Sequence, residues 1–135
     1  MSEQASVQVV QRLYEAFTRG DMPALLDTLA EKVEWYEPGP VEILPWAGVF
    51  RGREQVRQVL LRFSEVAEVE QFTLSEVIAQ GETVVVIEEQ RAVFKATGRP
   101  LRADAVRIFK VRGGKIVSAR AWEDTALQVA AVCDR

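Results

Sequence analysis

The chain has 135 residues, 48% of them hydrophobic and 27% charged, the proportions of a water-soluble globular domain and a length that builds one such domain rather than two. A formal net charge of −3 argues against nucleic acid as a partner, and no apolar run approaches the roughly 20 residues of a membrane-spanning helix. With no histidine and one cysteine, Cys133, the chain excludes Ser-His-Asp and Cys-His mechanisms, histidine-bound zinc and an internal disulfide, and a cytoplasmic location is expected.

From Ala5 to Arg19, Val10, Leu13, Tyr14 and Phe17 recur at helical spacing, and Gly20-Asp21 supplies a stop and a new start. Asp21 caps a second, short helix with Leu25, Leu26 and Leu29 as its apolar residues and Pro23 in the first turn, where a missing N–H is harmless. Val33 to Glu37 then reads as a strand, placing Val33, Trp35 and Glu37 on one face. The stretch from Pro38 to Gly52 is rich in proline yet carries Ile43, Leu44, Trp46, Val49 and Phe50, so it is expected to be a loop packed on the molecule as a lid or rim. Arg53 to Glu65 forms a third amphipathic helix with Val56, Val59, Leu60 and Phe63 on its stripe.

Beyond Glu68, β-branched and aromatic residues dominate. Strands are expected at Glu70 to Ala79, Thr83 to Lys95, Leu101 to Val111 and Lys115 to Glu123, with intervening turns short enough to force an antiparallel meander. Helices followed by such a sheet give an α+β domain with the helices on its concave face.

The order of these elements, with Arg19-Gly20-Asp21, Val33 to Pro38, Trp46 to Arg53, Gly113 to Ile116 and Trp122-Glu123-Asp124, resembles the nuclear transport factor 2-like superfamily in its SnoaL-like and ketosteroid-isomerase-like branches. The resemblance covers nearly the whole chain. It implies a cone: a strongly curved, mostly antiparallel sheet wrapped around three N-terminal helices, with a pocket at the open end. It also implies a homodimer paired through the outer sheet face, where Trp122 and Asp104 would lie.

In the family register Glu37, Glu88, Gln90, Arg107 and Glu123 face the cavity, beside Ala92, Phe94, Ala103, Ala105, Phe109, Ala119 and Ala121, with Trp35 deeper and Trp46 at the rim. Phe63 and Tyr14 complete the expected substrate-binding set. The alanines, standing where a filled core would carry Leu or Ile, imply room for a small apolar, carbonyl- or carboxylate-bearing ligand; the alternative is that the third helix and the Pro38 to Gly52 loop fill the space.

Glu37 matches the position of the ketosteroid isomerase general base, glutamate replacing aspartate with the following proline kept. A carboxylate in an apolar pocket is suited to abstract a proton beside a carbonyl, and the competing reading is a Glu37–Arg107 pair that only balances two buried charges. The isomerase oxyanion hole of tyrosine and protonated acid is not reproduced, because Leu13 stands at the tyrosine position and Arg107 at that of the acid, with Tyr14 turned by about 100° on the helix. Arg107 offers a guanidinium for an enolate or a substrate carboxylate instead. The resemblance therefore points to a cofactor-free isomerase or cyclase using Glu37 and Arg107, or to a non-catalytic ligand-binding module of the same fold. An epoxide-hydrolase-like arrangement of Glu88, Arg107 and Glu123 ranks lower, and no metal is expected among glutamates interrupted by an arginine.

Overall fold

The computed structural model describes residues 2–133. Ser2 caps helix α1 (Glu3–Arg19) by accepting from the Ala5 amide at 3.0 Å, and Gly20 ends it in the left-handed conformation, φ 69°, which a side chain would strain. Asp21 caps α2 (Met22–Asp27) through the Ala24 amide at 3.1 Å. Leu29, expected on this helix, instead opens strand β1 (Leu29–Glu37). Its side chain is fully buried there, and only the strand's alternation carries it into the core beside Val33 and Trp35.

The stretch from Pro38 to Gly52 is not wholly a loop. Gly48–Arg51 forms β2, an antiparallel partner of β1 that pairs Trp35 with Phe50 and Glu37 with Gly48. Helix α3 (Gly52–Val66) follows directly. Strand β3 (Ala67–Gln80) begins earlier than expected, with register shifts near Gln71 and Glu76, and β4 (Thr83–Phe94), β5 (Pro100–Arg112) and β6 (Lys115–Trp122) complete the meander. A fourth helix, α4 (Thr125–Val132), was not anticipated. Asp124 caps it by accepting from the Leu127 amide at 3.0 Å, and Gln128 and Ala131 are its buried residues.

The strands form one curved, unclosed sheet in the order β2-β1-β6-β5-β4-β3. All neighbours run antiparallel except β1 and β6, which pair in parallel and bring Trp35 opposite Ala119. Strict alternation sets the inner face: Val84, Val86, Glu88, Gln90, Ala92 and Phe94 on β4, and Leu101, Ala105, Arg107, Phe109 and Val111 on β5, are all buried. At one end these residues, with Leu29 of β1, pack against α1 and α2 through Val10, Leu13 and Leu25; at the other, Leu44, Trp46, Val59, Phe94, Leu101 and Ala131 form a second cluster. Each large side chain so buried contributes about 1.5–3 kcal/mol. The polar inward residues lie on the same strands, beyond Val86 on β4 and beside Phe109 on β5.

The outer face carries the half-exposed Trp122, at 47%, and the exposed Val106 directly opposite it. Arg120 places its guanidinium 4.7 Å from the Tyr36 ring and 5.2 Å from that of Trp122. Asp104 is exposed on this face as well.

Candidate active site

Four strands and two helices deliver the polar groups. Glu37 ends β1, Glu88 and Gln90 lie two apart on β4, Arg107 is on β5, Glu123 follows β6, Tyr14 comes from α1 and Gln128 from α4. Arg107 Nη1 donates to Glu37 Oε2 at 2.8 Å, and its Nε lies 3.6 Å from Glu88 Oε1. Trp35 Nε1 donates to the same Glu37 oxygen at 2.7 Å, while the Arg107 guanidinium stands 5.5 Å from the Trp35 ring. Both donors to Glu37 use Oε2, so Oε1 accepts no hydrogen bond from any described residue. Arg107 Nη2 is likewise uncommitted among the described residues.

Glu88 differs. Its Oε1 accepts from the Tyr14 hydroxyl at 2.5 Å and its Oε2 from Gln90 Nε2 at 2.5 Å, so both oxygens are engaged. The same Gln90 nitrogen donates to Glu123 Oε2 at 2.7 Å, one amide thus bridging two carboxyl groups. Glu123 Oε1 is sealed from solvent and has no donor among the described residues, and Gln128 Oε1 is in the same condition.

Glu37 and Glu88 thus share one guanidinium, and burial shapes how the third carboxyl group, Glu123, ionises. Burial pushes the Glu123 carboxyl up to about 8, the charge of Glu37 adding to the effect and Arg107 opposing it. Burial works against the Arg107 cation, but the charges of Glu37 and Glu88 outweigh it and hold the guanidinium well above its ordinary range. Tyr14 is raised as well, by burial and then by the charge of Glu88, so its hydroxyl stays a neutral donor.

These groups line a cavity of about 70 Å³ together with Leu13, Phe17, Leu25, Trp46, Val59, Leu60, Phe63 and Phe72. A water needs roughly 10–15 Å³ by this measure, so the space suits a handful of waters or a small head group and falls well below the roughly 300 Å³ at which pockets for larger ligands begin. Phe17, Leu25, Leu60 and Phe72 also border a second depression of about 560 Å³ between α1, α2, α3 and β3. Those four side chains are the wall between the two, with Phe17 stacked on Phe72 at 5.5 Å.

The expected residues fall into two sets. Tyr14, Trp35, Glu37, Trp46, Phe63, Glu88, Gln90, Arg107 and Glu123 all border the cavity, whereas Phe94 and Phe109 do not. Phe94 stacks on Trp46 at 5.5 Å, and Phe109 meets Tyr14 edge-on at 6.2 Å, so both act from behind as packing partners. The alanines are also absent from the cavity wall, for a legible reason. Ala105 lies opposite Glu88, Ala103 opposite Gln90, Ala121 opposite Arg107, and Ala119 opposite both Phe109 and Trp35. The room they leave is taken by the large side chain across the strand, not by a ligand. Trp46, expected at the rim, is buried, and Tyr14 turns inward without any substitution at Leu13. Sequence reasoning missed Gln128, whose signal was Asp124 ahead of an uninterrupted Thr125–Val132 helix former run. It also missed Phe17 and Phe72 as wall residues.

The SnoaL-like domain matches residues 10–119, most of the chain and nearly every strand of the cavity. The protein belongs to the SnoaL-like family. An uncharacterised protein of Mycobacterium tuberculosis (strain H37Rv) is 30% identical over 117 residues, 86% of either chain. Among solved structures, a nuclear transport factor 2-like protein from Burkholderia xenovorans LB400 superposes with a TM-score of 0.89 at 35% identity, covering 98% of this chain and 99% of that one. A candidate polyketide cyclase from Xanthomonas campestris pv. campestris superposes with a TM-score of 0.80 at 24% identity, covering 97% and 98%, a likeness of fold alone. This SnoaL-like chain therefore has the α+β, nuclear transport factor 2-like architecture of its neighbours, and no described helix is long and apolar enough to cross a membrane.

Proposed function

We propose that this SnoaL-like protein is a cofactor-free isomerase or cyclase for a small, largely apolar carbonyl compound, with Glu37 as proton acceptor and Arg107 as donor to the developing oxyanion. The observation that carries the reading is the pairing of two uncommitted atoms, Glu37 Oε1 and Arg107 Nη2, on residues locked together at 2.8 Å. Trp35 and Arg107 fix the carboxylate through Oε2, so its second oxygen is presented without rotational freedom to a C–H beside a carbonyl. Arg107 Nη2 would donate to the charge that forms on the carbonyl oxygen. A substrate carboxylate fits less well, because bidentate capture needs two guanidinium nitrogens and Nη1 is already held by Glu37. The cavity lining around these groups would be the substrate surface, with Trp46, Phe63 and Tyr14 against its apolar part and Glu88, Gln90 and Glu123 setting its polar end.

The test needs no known substrate. Hydrogen–deuterium exchange beside the carbonyl of small cyclic ketones, followed by NMR in heavy water, should be accelerated by the wild type and fall by about a hundredfold or more in Glu37→Gln. Equal exchange by both proteins would remove Glu37 as the base.

A second reading, a ligand-binding module without chemistry, is favoured by the small volume of the cavity and by the closeness of the Glu37–Arg107 pair. It predicts saturable ketone binding with no exchange in either protein.

We also propose a homodimer formed through the outer sheet face, where Tyr36, Val106, Arg120 and Trp122 make an aromatic and cationic patch. Sedimentation should give twice the 15.2 kDa chain mass at micromolar concentration, and Trp122→Ser should shift it to the monomer with the fold intact. A wild-type monomer would end this assignment.

A further inference from the structure

Of the three carboxyl groups that border the cavity, the buried Glu37 and Glu88 share the Arg107 cation at 2.8 and 3.6 Å. Glu123 has no ion-pair partner among the described residues, only the neutral amide of Gln90 on Oε2. Its other oxygen is sealed in the protein without a donor. An orphaned buried acceptor is costly, and two in one small cavity are more so. The second belongs to Gln128, 3% exposed, whose side chain α4 directs to the cavity wall with Oε1 unpartnered. With Glu123 protonated, its own O–H is the donor at this polar end; once Glu123 ionises, the end lacks a donor, and one carrying positive charge.

The aromatic residues Trp35, Trp46 and Phe63 border the same space and suit the apolar part of an organic cation. A metal ion is not indicated, since no group of three or more His, Cys, Asp or Glu among the described residues is placed to hold one.

We propose that Glu123 and Gln128 form a subsite for the head group of a small primary ammonium, with the Glu123 carboxylate as counter-ion and Gln128 Oε1 as second acceptor. This goes beyond proton transfer at Glu37 and stands whether or not that chemistry occurs. In the free protein Glu123 is neutral near pH 7, and the ammonium takes the place of its proton. The charged and titratable groups facing Glu123 are Glu37 from β1, Glu88 from β4 and Arg107 from β5, with Tyr14 of α1 beyond Glu88; the element after it, α4, contributes only the neutral Gln128. None of these supplies an uncommitted full positive charge.

The experiment is an NMR titration of the full chain with propylammonium, 1-propanol and propionate, reading the Trp35 indole N–H that lies beside Glu37. Propylammonium should bind at least about tenfold more tightly than either of the others, and its affinity should rise by up to about tenfold per pH unit as the pH approaches 8, then level off. Glu123→Gln should fold, because burial already favours the neutral form of that side chain, and should lose the preference and the pH dependence together. Gln128→Leu should weaken ammonium binding while keeping the pH dependence. Equal or tighter binding of 1-propanol or propionate overturns the subsite. So does the absence of saturable ammonium binding at millimolar concentration, or an ammonium affinity that Glu123→Gln leaves unchanged.

Discussion

Two stretches of the same inner sheet face meet at Val86 and Arg107, which sit directly opposite each other on β4 and β5. On one side, Val84, Val86, Phe109, Val111 and Ile116 pack on α1 as a closed apolar floor. On the other, Glu88, Gln90 and Arg107 continue the same alternation as a buried polar layer, bordered by the half-buried Glu123. Backbone, pleat and register are the same on both sides, so the strand pattern decides only which residues point inward. Whether the inward layer becomes core or site is decided by residue type, and by which charges find partners.

The largest expected effect separates the two stretches. Arg107→Met should cost about 3–5 kcal/mol in urea unfolding at pH 7, because it leaves Glu37 and Glu88 buried without their cation. Lowering the pH should return part of that loss as the carboxylates take up protons. Val86→Ala, on the floor directly opposite, should cost less and show no such pH dependence. Equal pH responses in the two variants would erase the distinction between floor and polar layer.

A smaller effect sharpens it. The folded-state value of Glu123 is raised from 4.5 to about 8, so its contribution is fully present below pH 4.5 and is lost as pH rises to about 8. The unfolded chain releases the proton first, and at about 1.4 kcal/mol per unit the total is on the order of a few kcal/mol. Wild-type stability should therefore fall across that window, and Glu123→Gln should flatten the slope and be the more stable protein at pH 9. A slope unchanged by the substitution would show that Glu123 ionises normally.

Much of this was legible in the chain. Helical spacing in α1 and α3, the capping aspartate before α2 and period-two alternation in β4 and β5 located the elements and the inward residues, because each is a local signal. The family register brought Glu37, Glu88, Gln90, Arg107 and Glu123 to one cavity. What escaped were pairings between distant segments. Strand β2 is visible only once β1 is there to pair with it, and Leu29 reads as helix until its strand neighbours are known. The alanines misled for the same reason: a small residue signals space, but only the cross-strand register shows that Arg107 or Glu88 fills it. Which carboxylate oxygen is left free could not be read at all, since that depends on where Trp35 and Gln90 aim their donors.

The parallel pairing of β1 with β6 has a consequence for how the chain becomes a protein. Glu37 and Arg107 are 70 residues apart, and Tyr14 and Glu88 are 74 apart. The β4–β5 hairpin can bring Glu88 and Arg107 together early and cheaply, since only a short turn separates them. Glu37 joins them only when the first strand docks beside the last. Contacts this remote in sequence slow folding. On the ribosome, a growing chain would hold its arginine against Glu88 alone until almost its entire length had emerged, so assembly of the Glu37–Arg107 pair and completion of the sheet are one and the same event.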